Sequence, residues 1–158
     1  RGVTVLFGHD NAAHPETWEW DGESWIFRAV AGPSFRRGHA MAYDPQRGVS
    51  VLFGGVGFSE TWEWDGVAWS SRAVSGPSAR IEHAMVYDEA RRVVLLIGGQ
   101  TSDGRGDSGT WTWDGARWTR RVQGAPGNRS GHALAYDRDR GVVVLFGAWK
   151  ARRSGGPA

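Results

Sequence analysis

Thr61-Trp62-Glu63-Trp64-Asp65-Gly66-Val67-Ala68-Trp69 decides how this chain folds. The same frame recurs as Thr17-Trp18-Glu19-Trp20-Asp21-Gly22-Glu23-Ser24-Trp25 and as Thr110-Trp111-Thr112-Trp113-Asp114-Gly115-Ala116-Arg117-Trp118. These three copies hold nine of the ten tryptophans of the 158-residue chain. A sequence that repeats so bulky a pattern is built from stacked copies of one unit.

The unit extends beyond its tryptophans. Upstream lies Arg-Gly-Val-x-Val-Leu-Phe-Gly, whose glycine-bounded part occupies residues 2–8, 48–54 and 141–147, with a looser form at 93–98. Downstream, after a Gly/Pro segment, comes Arg-x-x-His-Ala-x-x-Tyr-Asp at residues 36–44, 80–88 and 129–137. Trp18 and Trp62 are 44 residues apart, and Trp62 and Trp111 are 49 apart. Such periods suit propeller blades or helical solenoids.

Local chemistry favours strands. Val49–Phe53 and Val142–Phe146 are short apolar runs bounded by glycine, as a strand buried on both faces requires. Thr-Trp-Glu-Trp alternates with period two, and no window carries a useful helical period. Asp-Gly after each such run is a two-residue hairpin signal. That loop would pair residue 20 with 23 and set Trp18 across from Trp25, with Trp20 on the same face; Trp62 would face Trp69, and Trp111 would face Trp118. Each buried indole removes about 150–250 Å² from water, on the order of 4–6 kcal/mol as an upper bound. All nine tryptophans are therefore expected to be core.

These residues resemble kelch repeats of the galactose-oxidase-like propellers. The resemblance rests on the apolar strands ending at Gly54-Gly55 and Gly98-Gly99, the Tyr-Asp pairs, the spaced tryptophans and Arg-x-x-His. It implies four-stranded blades around an axis, with His-Ala-x-x-Tyr on the strand nearest that axis. Small Ala40, Ala84 and Ala133 suit a crowded inner position. The expected fold is all-β: a kelch-type propeller portion of about three four-stranded blades over residues 1–147. A partial blade covers 1–30, full blades 39–74 and 83–122, and a further partial blade 132–147. Residues 148–158, with Lys150, Arg152 and Arg153, read as a disordered tail.

This division gives thirteen strands, too few to close a ring of at least about four blades. Closure then needs oligomerisation or further chain. Two copies hold 26 strands where a six-bladed ring takes 24, so one of the equivalent strands 3–7 and 142–146 would be displaced. The expected partner is a second copy completing a ring, or the remaining blades of a longer chain.

Composition narrows the function classes. Arginine supplies 18 of the 19 basic residues, and net charge is only +2. The arginines are scattered through the repeats rather than gathered on a stripe, so no nucleic-acid partner is expected. No apolar run approaches the roughly 20 residues of a membrane-spanning helix, and no membrane partner is expected. No signal peptide is read, and an upstream leader or domain stays open. Cysteine is absent, which leaves no disulfide, no thiolate metal site and no indication of redox compartment. Localisation is not indicated.

Candidate chemistry is sparse. Arg36 with His39, Arg80 with His83, and Arg129 with His132 recur once per unit, which marks a structural device; a catalytic group is wanted once. Their guanidiniums are expected to bond the turns between blades and to pair with Asp44, Asp88, Asp137, Glu19 or Glu63. Copper chemistry of the galactose oxidase kind needs a cysteine crosslinked to tyrosine, so the resemblance lends a fold and no activity. Asp107-Ser108-Gly109-Thr110-Trp111 is similar to the Asp-box of sialidases but lacks its leading serine and one residue before threonine. It reads as a turn into a strand. His9, Asp10 and His14 lack a clear further ligand, and Arg105-Gly106-Asp107 is a tripeptide common by chance. No catalytic residue, metal or cofactor is assigned.

Variation between copies concentrates in two loop groups expected on one face: residues 9–16, 56–60 and 100–109, and the segments around 35–37, 79–82 and 127–128. Loops on a rigid frame are where recognition resides. Phe35, Arg37, Phe58, Ile81, Glu82, Arg105 and Asp107 are the ligand-binding candidates, a mixed surface suited to a protein or glycan. The expected function is a non-catalytic binding or scaffold module. The alternatives are a fragment of a carbohydrate-active propeller enzyme with its catalytic residues elsewhere, and a self-assembling structural module.

Overall fold

A computed structural model describes residues 2–10, 12–28, 31–72, 75–104, 107–121 and 127–148. Among the described residues there are fifteen strands, two short ones more than the thirteen expected, and no helix. The first sheet is β1 (Thr4–His9), β2 (Pro15–Trp20) and β3 (Trp25–Arg28), in that order. The second is β4 (Ala40–Asp44), β5 (Val49–Phe53), β6 (Thr61–Trp64) and β7 (Trp69–Arg72). A short pair joins β8 (Arg80–Ile81) to β11 (Gln100–Thr101). The third sheet is β9 (Ala84–Asp88), β10 (Val93–Ile97), β12 (Thr110–Trp113) and β13 (Trp118–Arg121). Last come β14 (Ala133–Asp137) and β15 (Val142–Phe146), paired among the described residues only with each other. All pairings are antiparallel, and β9 lies between β4 and β14, so the His-Ala-x-x-Tyr strands converge.

The hairpin register corrects the two-residue reading. Trp20 stands opposite Trp25, Trp64 opposite Trp69 and Trp113 opposite Trp118. Trp18 faces Phe27 instead. The cause is the aspartate side chain. Asp21 Oδ1 accepts from the backbone N–H groups of Glu23 and Ser24 at 2.8 and 2.9 Å, and Asp65 and Asp114 repeat this. By capturing two backbone donors, the carboxylate favours a four-residue loop over the tight one. The paired indoles then tilt against each other at 5.5–5.7 Å between ring centroids.

Each tryptophan pair docks on the preceding sheet. Trp64 Nε1 donates to Glu19 Oε1 at 3.0 Å and Trp69 Nε1 to Thr17 Oγ1 at 2.9 Å. Trp113 and Trp118 repeat the bonds on Glu63 and Thr61 at 2.9 and 2.8 Å. Between the sheets, Val51, Leu52, Phe53, Val94 and Leu96 are wholly buried. Burial also follows this order. Trp64, Trp69, Trp113 and Trp118 are core, whereas Trp25 is 46% exposed. No preceding sheet covers it among the described residues, and Trp18, Trp20, Trp62 and Trp111 are only half-buried, so the expectation of nine core tryptophans holds for four.

Candidate functional site

Two loops from each unit reach the same end of the sheets. Past β5, the Gly55 N–H donates to the Arg80 carbonyl and the Val56 N–H to the Arg37 carbonyl, both at 3.0 Å. Past β10, the Gly99 N–H donates to the Arg129 carbonyl at 2.9 Å, and the Gly131 N–H to the Glu82 carbonyl at 3.0 Å. Glycine is demanded at this stitch. Gly98 sits at φ +64°, and a Cβ there would lie 2.5 Å from the Arg129 carbonyl oxygen. The result is one surface formed by segments distant in sequence.

Buried arginines support it from beneath. The Arg36 side chain, with 0% exposure, donates to the Ser34 carbonyl at 3.0 Å, the Gly54 carbonyl at 3.3 Å and Glu60 Oε2 at 2.7 Å. Arg80 does the same with the carbonyls of Ser78 and Gly98 at 3.0 and 2.9 Å and with Asp107 Oδ2 at 2.6 Å. The expected partners are therefore corrected. Asp44 holds Arg47, Asp88 holds Arg91, Asp137 lies beside Arg140, Glu19 holds Arg28, and Glu63 holds both Arg47 and Arg72. Asp44 and Asp88 close the turns at the far end of the inner strands, out of reach of Arg36 and Arg80.

The repeated histidines sit behind these arginines. The His39 and His83 rings meet the edges of Phe7 and Phe53 at 5.4 and 5.7 Å. Burial, then the Arg80 guanidinium, pushes the His83 imidazole down to about 3. Burial and the neighbouring arginine also lower His39 and His132. These imidazoles stay neutral at ordinary pH, as packing groups do.

The seven ligand-binding candidates separate by role. Asp107 and Phe58 serve the buried arginines. Burial pushes the Asp107 carboxyl up, but the Gly109 N–H and the Arg80 guanidinium outweigh it and hold it below its ordinary value. Phe58 lies under the Arg36 guanidinium at 4.2 Å. Ile81 packs on Gly38, where a Cβ would meet it at 2.8 Å. Glu82 is exposed and accepts from Gln100 Nε2 at 2.7 Å. Arg37 is exposed, its guanidinium 5.5 Å over the half-buried Phe35 ring. Arg105 lies outside the described residues, as does the tail from 149 to 158.

Sequence reasoning weighed His9 only as a metal ligand, beside Asp10 and His14. Its ring meets Phe35 edge-on at 4.5 Å, so His9, Phe35 and Arg37 form an aromatic and cationic corner. The signal was present: His9 occupies the second position of the Gly-Gly pair found at Gly54-Gly55 and Gly98-Gly99. Asp10 is committed to its own loop, accepting from the backbone of Ala12 and His14 and bonding the His14 ring, all at 2.8–2.9 Å. No set of three or more possible metal ligands converges among the described residues. A cavity of about 480 Å³ lies at the other end of the sheets, between β1 and β4.

Solved structures share the fold. YjhT superposes with TM-score 0.63 at 12% identity, over 84% of this chain and 54% of that one. A fucose lectin from Kordia zhangzhouensis, in complex with methyl-fucoside, gives 0.50 at 15% identity, over 75% and 88%. A mutant of Trypanosoma rangeli sialidase displaying trans-sialidase activity gives 0.52 at 15%, over 89% and 26%. The chain is a partial propeller. At these identities the likeness carries the fold and nothing further. The chain spans about half the length of YjhT. No protein-family model matches the sequence, and no curated protein does.

Proposed function

We propose that this chain is a kelch-type, galactose-oxidase-like propeller segment acting as a non-catalytic binding module for a glycan. Its contact surface is the loop face around Phe35, Arg37 and His9. The observation that carries this reading is the division of labour on that face. Arg36 and Arg80 are consumed by carbonyls and by Glu60 and Asp107, so the stitched loops form a rigid floor. Arg37 and Glu82 remain exposed above it, beside a half-buried aromatic ring. A preformed floor with a few outward polar groups is what a small polar ligand needs. That two neighbours in fold are a fucose lectin and a sialidase supports a glycan as the ligand class.

The test is a glycan array with the full chain, followed by titration calorimetry on any hit. Arg37→Ala and Phe35→Ala are expected to lower affinity at least tenfold with unchanged thermal stability. Phe58→Ala is expected to act through stability. Binding that survives both loop substitutions overturns the reading.

A second reading has one specific observation behind it. The chain matches only 26% of the sialidase and 54% of YjhT. It is then part of a longer carbohydrate-active propeller whose catalytic residues lie outside these 158. Hydrolysis of a glycoside that appears only with additional chain would select it.

A further inference from the structure

We propose that the inner edge of β1, with the cavity beside it, is a slot for β14 of a second copy of this chain, so that two copies complete each other's open blades. β5 and β10 each hold an inner strand, β4 and β9. β1 bonds only β2, and its other edge carries no strand among the described residues. The 480 Å³ cavity lies along that edge, lined by Val3 and Val5 of this segment, Met41 and Tyr43 of β4, and Glu19 and Trp64. Tyr43 is 45% exposed where its counterpart Tyr87 is 8% exposed, which locates the missing neighbour.

The occupant follows from the repeat. Residues 3–7 read Val-Thr-Val-Leu-Phe, and β15 reads Val-Val-Val-Leu-Phe. β14 already recognises this strand, with Ala133 opposite Phe146, Ala135 opposite Val144 and Asp137 opposite Val142. The same register places the partner's Ala133 opposite Phe7, its Ala135 opposite Val5 and its Asp137 opposite Val3. Tyr136 shows the accompanying contact, its hydroxyl accepting from the Ala90 N–H of the preceding blade at 3.0 Å. Tyr43 would accept in the same way from the backbone of the partner's Asp139.

Exchange is favoured by what β1 brings with it. β15 leaves Val142, Val144 and Phe146 exposed at 37, 43 and 82%. β1 would replace its ladder bonds one for one and add β2 and β3, making a four-stranded blade. Leu6, Trp25 and Phe27, each 45–47% exposed, would then be covered by the partner's third blade. Thr110 stands there in the place of Thr17 and Thr61, which receive Trp69 and Trp118. Two reciprocal exchanges close the assembly at two chains and six blades.

The chain has no cysteine, so crosslinking reports the contact cleanly. Val5→Cys chains mixed with Ala135→Cys chains under oxidation are expected to give a disulfide-linked species of twice 17.3 kDa. Val5→Cys mixed with the out-of-register Leu134→Cys is expected to give little. By light scattering the unmodified chain is expected to be a dimer. Trp25→Asp with Phe27→Asp should yield a monomer of unchanged circular dichroism, since both side chains are half-exposed in one chain. Truncation after Arg140 should keep the dimer, because β15 is the displaced strand. A monomeric unmodified chain, open-ended multimers, or a dimer lost on truncation overturns the proposal. A monomer would mean that residues outside this sequence fill the slot.

Discussion

Arg80 Nη2 and Asp107 Oδ2 meet at 2.6 Å across 27 residues of sequence, with the arginine side chain wholly buried. The pair joins a loop that varies between the repeats to a residue that does not. It makes Asp107 a structural member of the loop face, and it sets the first prediction. Asp107→Ala leaves a buried guanidinium with only neutral partners, the Ser78 and Gly98 carbonyls and the Ser78 hydroxyl, and is expected to cost about 3–5 kcal/mol. The urea-unfolding midpoint measures it. A loss within the range of an exposed loop substitution, about 0.5 kcal/mol, would show that the pair holds nothing together.

The indole of Trp113 reaches back to Glu63, which also receives Arg47 and Arg72. Trp113→Phe keeps most of the apolar contact and removes one charge-assisted bond. It is expected to cost about 1.5–3 kcal/mol from that bond, plus a packing loss. Trp25→Phe, at a half-exposed ring, is expected to change the stability of the single chain by less than about 1 kcal/mol. Chemical denaturation of both variants in one buffer gives the comparison.

His83 gives the protein a pH dependence of definite sign. Its folded-state value, about 3, lies below the 6.5 of the unfolded chain. Between those values the unfolded state binds a proton that the folded state refuses. Stability is therefore complete above about pH 6.5 and falls as pH drops through the window to about 3. Moving from pH 7.5 to 5.5 is expected to remove about 1.4 kcal/mol through His83 alone. His39 and His132 shift in the same direction. Unfolding midpoints at pH 7.5, 6.5 and 5.5 should show the slope, and His83→Asn should flatten it. A slope unchanged by that substitution would assign the dependence elsewhere.

Two glycines with positive φ should respond differently to alanine. Gly98→Ala meets both the unfavourable φ and the Arg129 carbonyl at 2.5 Å. Gly57→Ala has φ +80° with open space around it. The second is expected to cost about 1–2 kcal/mol, the strain of a left-handed backbone alone. The first should cost clearly more and loosen the loop face, which amide exchange at Gly99 would reveal. Equal costs would mean that the backbone shifts freely at Gly98.

The strands and their grouping were legible because period-two alternation and glycine boundaries are local properties of the chain. Thr17, Trp18, Glu19 and Trp20 announce a strand wherever they occur. The hairpin register was not legible, since it turns on whether Asp21 captures two backbone donors or stays in solvent. Both outcomes begin with the same Asp-Gly. The partners of Arg36 and Arg80 were hidden for a related reason. Glu60 directly precedes Thr61, as Glu16 precedes Thr17, but Asp107 lies three residues before Thr110 in a longer loop, so no single repeat position marks both partners.

An all-β chain of repeated units, the course of the longer strands and the places of Arg36, Arg80, His83 and His132 follow from local sequence; the short pair of β8 and β11 does not. Hydrogen-bond geometry and apolar spacing act over a few residues, and that is enough for these. Which side chains those units bury against one another depends on how the sheets are set side by side. Trp69 is buried and Trp25 half-exposed, though both close the same hairpin. Burial belongs to the neighbouring sheet, and a repeat encodes its own strands without encoding what stands beside it.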